Sequence, residues 1–370
     1  MATRTPRASS PDLVFIVLLA LLIVFGFVML TSASSDMAKA RFGDSLYFLK
    51  HQLLFGFGTG LLGFFIGMMV YYRRWEKWAP WLFAASLLLL ILVFSPLGFG
   101  TKGSERWLSV GPITFQPGEV LKLTFFLFLA AWLGKNAARV KSLKNGLIPF
   151  LLILGLTAGL LFIQPATSIA VIILGAAFAV YFIAGAKWWY IAVAILVGVG
   201  VVAALIYVTP YRSERFTSFL HPETDTLGKS YQINQILMAI GSGGATGVGF
   251  GKSTTKLKTL PEPIGDSIFA VIGEELGFTG TVALVLLFLF LLLTGLRIAS
   301  HAPDVFGRLF VTGFVSLVGI QTFINIAAMT KIIPITGVPL PFVSYGGTAL
   351  TIFLTMAGIV VNISKYRTRT

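Results

Sequence analysis

The 370-residue sequence contains no cysteine. It can build neither a disulfide framework nor a thiolate metal site. Charge is scarce too: 11% of residues are Asp, Glu, Lys or Arg, against about a quarter in a soluble domain. Acids are the scarcer sign, 14 against 28 basic residues. A nucleotide-binding loop is missing as well. The run GSGGATGVGFGKS ends in Gly251-Lys252-Ser253, but the first glycine of G-x-x-x-x-G-K-[ST] would fall on Thr246, and no strand precedes it. No internal repeat is visible, which disfavours an inverted-repeat transporter.

What is present is hydrophobic: 56% of the chain, with 33 Phe and 39 Gly. This composition belongs to an all-α polytopic membrane protein, and residues 1–370 read as a single transmembrane domain. The net charge of +14 does not call for nucleic acid, because most Lys and Arg fall in short loops between apolar runs. Arg4 and Arg7 precede an apolar run over Leu13–Leu30, and Ser32-Ala33-Ser34 resembles a signal-peptidase site. That run exceeds the roughly 7–15 residues of a signal-peptide core, so it reads as a retained first span.

Ten spans are expected, each near the ~20 residues that cross a bilayer: Asp12–Thr31, Gln52–Val70, Ala79–Phe94, Glu119–Leu133, Gly146–Ile163, Thr167–Ala184, Trp188–Val208, Asp266–Leu296, Gly307–Met329 and Ser344–Ile363. With the N-terminus in the cytoplasm, fifteen Lys and Arg lie inside and six in the short outside segments. The positive-inside bias therefore places both termini in the cytoplasm of a bacterial inner membrane protein. Trp75, Trp78, Trp81, Trp107, Trp188 and Trp189 fall near span ends, as an aromatic belt would. The outside then carries the elaborate loops, 96–118, the long loop 209–265, and 331–343.

Ionisable groups at a membrane edge are expensive and mark candidate function. The stretch Lys256–Gly277 (KLKTLPEPIGDSIFAVIGEELG) holds three acids, Asp266, Glu274 and Glu275. Asp266 is expected at the N-cap or first turn of span eight. Helical phase sets it on one face with the small residues Ala270, Gly273 and Gly277, with Glu274 off that face and Glu275 opposite. Lys122 and Lys331 are the partners considered for one of the two glutamates. In the loop after span three, Arg106 and Trp107 present a cation and a flat apolar face. Glu119 and Lys122 share a helix face at the start of span four, as an anchoring ion pair, as an anion contact, or as both. Gln164-Pro165 reads as a tight turn between spans. In the long loop, Arg212, Arg215 and Lys252 are candidate anion ligands, and Gln232, Asn234 and Gln235 sit on a short amphipathic helix. The Gly-rich run offers backbone amides for a pyrophosphate. Pro334, Pro339 and Pro341 stiffen the last loop, and Ser344-Tyr345-Gly346-Gly347 opens span ten with small residues that suit a groove for an extended lipid.

Several pieces then fall in a recognisable order. They are Arg106-Trp107-Leu108, Gln116-Pro117-x-Glu119-x-x-Lys122, Ile240-Gly241-Ser242-Gly243-Gly244, LPEPIGDSIFAVIGEELG, Gly337-Val338-Pro339-Leu340-Pro341 and Ser344-Tyr345-Gly346-Gly347. Over nearly the whole chain they resemble the SEDS family of membrane peptidoglycan polymerases, FtsW and RodA, and the segment GFGKSTTKLKTLPEP leans slightly toward FtsW. The resemblance implies a ten-span fold and polymerisation of lipid II at the outer face, for cell division or elongation. It implies Asp266 as catalytic general base. It implies substrate contacts drawn from Arg106, Glu119, Lys122, Arg212, Arg215, Gln235, Lys252 and Ser344. The implied partners are a class B penicillin-binding protein and other divisome or elongasome membrane proteins. No metal-ligand cluster is visible; Asp266 and Glu119 leave room for a divalent cation, Mg or Mn, beside a pyrophosphate. Two departures stand out. Gln164-Pro165-Ala166-Thr167 replaces the family's Gln-Pro-Asp-x-Gly-Thr, and Ile264-Gly265-Asp266-Ser267 keeps the Asp but not its usual neighbours. Two rival functions remain open, a flippase for a lipid-linked precursor and a scaffold without chemistry.

Overall fold

The computed structural model describes residues 9–101, 104–111, 113–135, 140–194, 229–258 and 260–367, with a few isolated helical residues besides. Arg212 and Arg215 lie outside the described residues.

The chain opens with α1 (Leu13–Phe42), whose N-cap Asp12 accepts from the Phe15 amide. At 30 residues it is about 45 Å long by the helical rise, more than a bilayer core requires. It therefore continues well past Thr31, where the apolar run ends. A second span combines α2 (Tyr47–His51), a π-helical stretch over Gln52–Gly58 and α3 (Thr59–Met69). Next come α4 (Tyr72–Leu92), α5 (Pro117–Lys135), α6 (Ile148–Ile163) and α7 (Thr167–Ile183). The long loop holds α8 (Lys229–Ser242) and the single turn α9 (Thr255–Lys258). The chain ends with α10 (Ile268–Ser300), α11 (Val305–Met329) and α12 (Gly347–Ser364).

Among the described residues, eight helical stretches are long and apolar enough to span a membrane, and α7 is a shorter ninth. They match nine of the ten expected spans. The expected span over Trp188–Val208 lies largely outside the described residues. α5, α11 and α12 form the centre: in their apolar windows 78%, 67% and 72% of residues are buried, against 22–39% for the outer helices. α3 lies so close to α12 that a Cβ at Gly358 would stand 2.2 Å from the Phe64 carbonyl oxygen. Small residues permit this approach where the solvent is itself apolar.

Two expectations change. The loop after α4 is a three-stranded antiparallel sheet, β1 (Gly98–Thr101), β2 (Ser104–Val110) and β3 (Ile113–Phe115), in order β1-β2-β3. Span eight is not one continuous helix from Asp266. α10 breaks at Gly277 (φ 66°, ψ −163°), a conformation open to glycine. The segment 278–300 alone measures about 34 Å along its axis, enough for a crossing. Asp266, Glu274 and Glu275 therefore belong to a cap at one end of that span.

The Gly-rich run fits into this break. The amides of Val248 and Gly249 donate to the Glu274 and Glu275 carbonyls (3.0 and 3.1 Å), and those of Phe278 and Thr279 donate to the Gly244 and Ala245 carbonyls (2.9 and 3.0 Å). These four backbone groups at the break are thereby paired, as non-helical backbone at a membrane requires. On the small face of α10, Gly273 meets Ile240 of α8 and Gly277 meets Ala245 and Gly247 of this loop. A Cβ at Gly243 would stand 1.9 Å from the Gly273 carbonyl oxygen.

Candidate active site

Asp266 occupies the turn before α10. It lies one residue ahead of the N-cap position, which Ser267 takes without a side-chain cap, so it is neither the cap nor part of the first helical turn. It is half-buried. Three consecutive carbonyls of this turn are held from elsewhere. The Tyr345 amide donates to the Ile264 oxygen (2.9 Å), Ser344 Oγ to the Gly265 oxygen (2.7 Å), and Asn325 Nδ2 to the Asp266 oxygen (2.8 Å). A Cβ at Gly337 (φ 66°) would stand 3.7 Å from Asp266 Oδ2, so the carboxylate faces the start of the 337–346 segment.

That segment, with its prolines at 339 and 341, is fixed from several sides. Asn325 Nδ2 also donates to the Val338 oxygen (2.7 Å), and Gln321 Nε2 to the Pro339 oxygen (2.8 Å). Ser168 Oγ donates to the Thr336 oxygen (2.6 Å), the Leu340 amide to Ser344 Oγ (2.8 Å), and the Gly346 amide to Gln52 Oε1 (3.1 Å). The Tyr345 hydroxyl meets His51 Nδ1 at 2.8 Å. Burial pushes that phenol up to about 12, so it keeps its proton at neutral pH. Turn and segment together form one rigid unit, and rigid support is what a positioned carboxylate needs.

Glu119 and Lys122 lie behind this unit. Lys122 Nζ donates to both Glu119 oxygens (2.8 and 2.9 Å) and to Gln321 Oε1 (2.8 Å), and stands 5.2 Å over the Phe353 ring. It is 1% exposed, and its three donors are used. A chain of contacts thus runs from Glu119 through Lys122 and Gln321 to the Pro339 carbonyl. Ser344, another expected contact residue, serves the turn with its hydroxyl.

Four buried polar atoms around this unit find no hydrogen-bond partner among the described residues: Ser267 Oγ, Thr322 Oγ1, Asn325 Oδ1 and Thr336 Oγ1. Buried polar atoms are normally satisfied; of these four, Ser267 is the neighbour of Asp266 in the chain and Asn325 holds its carbonyl.

Other expected residues fall elsewhere. Arg106, on β2, donates from Nε to the Gln164 oxygen (3.3 Å) and from Nη2 to the Pro165 oxygen. It thereby caps the carbonyls of the α6–α7 turn, and Gln164 Nε2 reaches the Leu90 oxygen (2.5 Å). Gln235 is half-buried on α8 and lines an open cleft of about 540 Å³ with Tyr231, Asn234, Leu237 and Met238. Lys252 is exposed on the Gly-rich loop. The loop amides at 248 and 249 are committed to α10 and that of Gly251 to Glu275 Oε2 (3.0 Å), so the loop does not offer them to a pyrophosphate.

The glutamates hold structure, with partners other than Lys122 or Lys331. Glu275, fully buried, pairs with Lys256 (2.7 Å) and accepts from Ser32 Oγ of α1 (2.7 Å). Glu274 accepts from Ser253 Oγ (2.6 Å), the Thr254 amide (2.9 Å) and Thr255 Oγ1. Sequence reasoning missed Gln321, Asn325 and Gln52, and the pairing of Lys256 with Glu275. The signal for the first two was present: two amide side chains four residues apart on an otherwise apolar span share one face. Among the described residues no three His, Asp or Glu side chains form a metal cluster, and both Glu119 oxygens are taken by Lys122.

The fold and site define a multi-pass membrane protein with a carboxylate turn clamped at one end of its central helices. The chain belongs to the cell cycle protein family of FtsW, RodA and SpoVE, whose profile matches residues 12–369. Stage V sporulation protein E of Bacillus subtilis (strain 168) is 39% identical over 98% of this chain and 99% of that protein. A probable peptidoglycan glycosyltransferase FtsW of Geobacter sp. (strain M18) is 38% identical over 97% of this chain and 98% of its own. One chain of a peptidoglycan synthase complex, solved for the coordination of polymerisation and crosslinking, matches with a TM-score of 0.80 at 31% identity, over 96% of this chain and 97% of that one. The Thermus thermophilus rod shape determining protein RodA matches with a TM-score of 0.72 at 29% identity, over 97% of this chain and 98% of that one.

Proposed function

We propose that this protein is a peptidoglycan glycosyltransferase that polymerises lipid II at the outer face of the bacterial cytoplasmic membrane, with Asp266 as general base. The acceptor sugar's 4-hydroxyl gives its proton to the Asp266 carboxylate. Its oxygen attacks the anomeric carbon of the donor strand, and undecaprenyl pyrophosphate leaves with the bonding electrons. The observation that carries this reading is the clamped turn: a half-buried carboxylate whose backbone is held at three successive carbonyls. General-base catalysis rests on such placement.

The roles of the expected contact residues divide. Lys252, Arg212 and Arg215 are the loop cations proposed to meet the pyrophosphate. Arg106 contributes through the α6–α7 turn that it caps. Gln235 is proposed to meet substrate at the α8 cleft. Glu119, Lys122 and Ser344 act as positioning residues for the 337–346 segment and the turn. A divalent cation, Mg or Mn, would have Asp266 and the substrate's own phosphates to hold it. The proposed partners are a class B penicillin-binding protein and further divisome or elongasome membrane proteins. The reading covers cell division or elongation, with the sequence leaning slightly toward FtsW.

The test is polymerisation by purified protein with its transpeptidase partner. Lipid II should yield glycan strands, and Asp266→Ala should lose roughly 10²–10⁴-fold of the rate while remaining folded. Lipid flipping in vesicles without polymer would support the flippase instead. Normal cell shape and division with Asp266→Ala would support the scaffold.

A further inference from the structure

We propose that Asn325 is the positioning residue of Asp266 in this reaction, an inference that rests on the polymerase reading above. Asn325 lies one turn before the end of α11 and is 1% exposed. Its Nδ2 has two acceptors, the Asp266 and Val338 carbonyl oxygens, at 2.8 and 2.7 Å. These acceptors fix the amide's orientation, because a flipped carboxamide would set oxygen against two oxygens. One side chain therefore ties the backbone of the proposed base to the segment its carboxylate faces. Ser344 and Tyr345 hold residues 265 and 264, and Asn325 holds residue 266 itself.

The other half of the amide strengthens the case. Asn325 Oδ1 is an acceptor only, is buried, and finds no partner among the described residues. A residue kept merely to fill an apolar helix would not carry an unmet acceptor at full burial, where it is destabilising. Thr322, one turn earlier on α11, and Ser267, next to Asp266, likewise present buried hydroxyls without partners. The unmet groups lie on both sides of the bond from Asn325 to Asp266. Gln321, four residues earlier, holds Pro339 in the same way but takes its orders from Lys122. The two amides thus separate into one that fixes the segment and one that fixes the base.

Asn325 touches backbone, so its loss should displace the carboxylate without removing a substrate contact. A misplacement of about 1 Å costs on the order of 10²-fold in rate. The experiment measures initial rates of lipid II polymerisation against lipid II concentration for the purified complex with its transpeptidase. Asn325→Ala is compared with Asn325→Leu, which keeps the volume in an apolar helix and remains readable if the alanine variant does not fold. The inference expects kcat to fall about tenfold or more with KM within about twofold and an unchanged elution profile. Unchanged kcat in a folded variant overturns it. So does a raised KM with kcat intact, which would make Asn325 a substrate contact. Wild type and Asp266→Ala run alongside. If Asp266→Ala polymerises normally, the general-base reading fails, and the inference falls with it. If Asp266→Ala is dead and Asn325→Leu is normal, the inference alone fails.

Discussion

Asp266 is one of 14 acids in the chain, and its surroundings separate it from the others. Glu119, Glu274 and Glu275 are all buried, and each spends its oxygens on protein donors. Asp266 has its backbone held at its own carbonyl and its carboxylate facing Gly337. In the sequence Asp266, Glu274 and Glu275 share one stretch, and helical phase separates them only partly. The helix starts at Ile268, so a helical phase counted from Asp266 does not place its side chain. The partners of Glu275 were unreadable because Lys256 and Ser32 reach it from 19 and 243 residues away. The Glu119–Lys122 pair was readable because it is local. Its burial makes a testable statement. Lys122→Met alone leaves an uncompensated buried carboxylate and should cost about 3–5 kcal/mol. Pairing it with Glu119→Gln should recover much of that, read as thermal midpoints in detergent. Gly337→Val should place a branched side chain beside Asp266 Oδ2 at a positive φ, and polymerisation should fall more than stability does.

At the scale of elements, apolar runs located the membrane helices to within a few residues wherever hydropathy ended sharply. They failed where backbone pairing decides. The extension of α1 past Thr31 carries polar residues, yet it helps to pack the Lys256–Glu275 pair through Ser32. The break at Gly277 left no hydropathy trace, because hydrophobicity does not record φ. The Gly-rich run was legible as unusual but not as the mate of that break. Gly277→Ala should therefore be costly: its Cβ would stand 2.3 Å from the Gly247 nitrogen, at φ 66°. A loss of about 1–3 kcal/mol is expected for an L-residue held there, read as a lower thermal midpoint.

For the whole molecule, the proposed polymerase has the Asp266 turn, the sheet of β1–β3 and the long loop on one side of the membrane, and both termini on the other. The absence of cysteine makes this directly measurable. In intact cells, Lys252→Cys should react with a membrane-impermeant maleimide. Arg74→Cys, exposed at the start of α4, should react only after permeabilisation. The reverse pattern would turn the proposed site to the cytoplasm, away from the growing wall. The central claim is chemical, and one measurement bears on it most directly: glycan strand synthesis from lipid II by the purified protein with its transpeptidase, wild type beside Asp266→Ala. The account predicts strands from the wild type and a loss of roughly 10²–10⁴-fold from a folded Asp266→Ala. Equal strand synthesis by both proteins would contradict it.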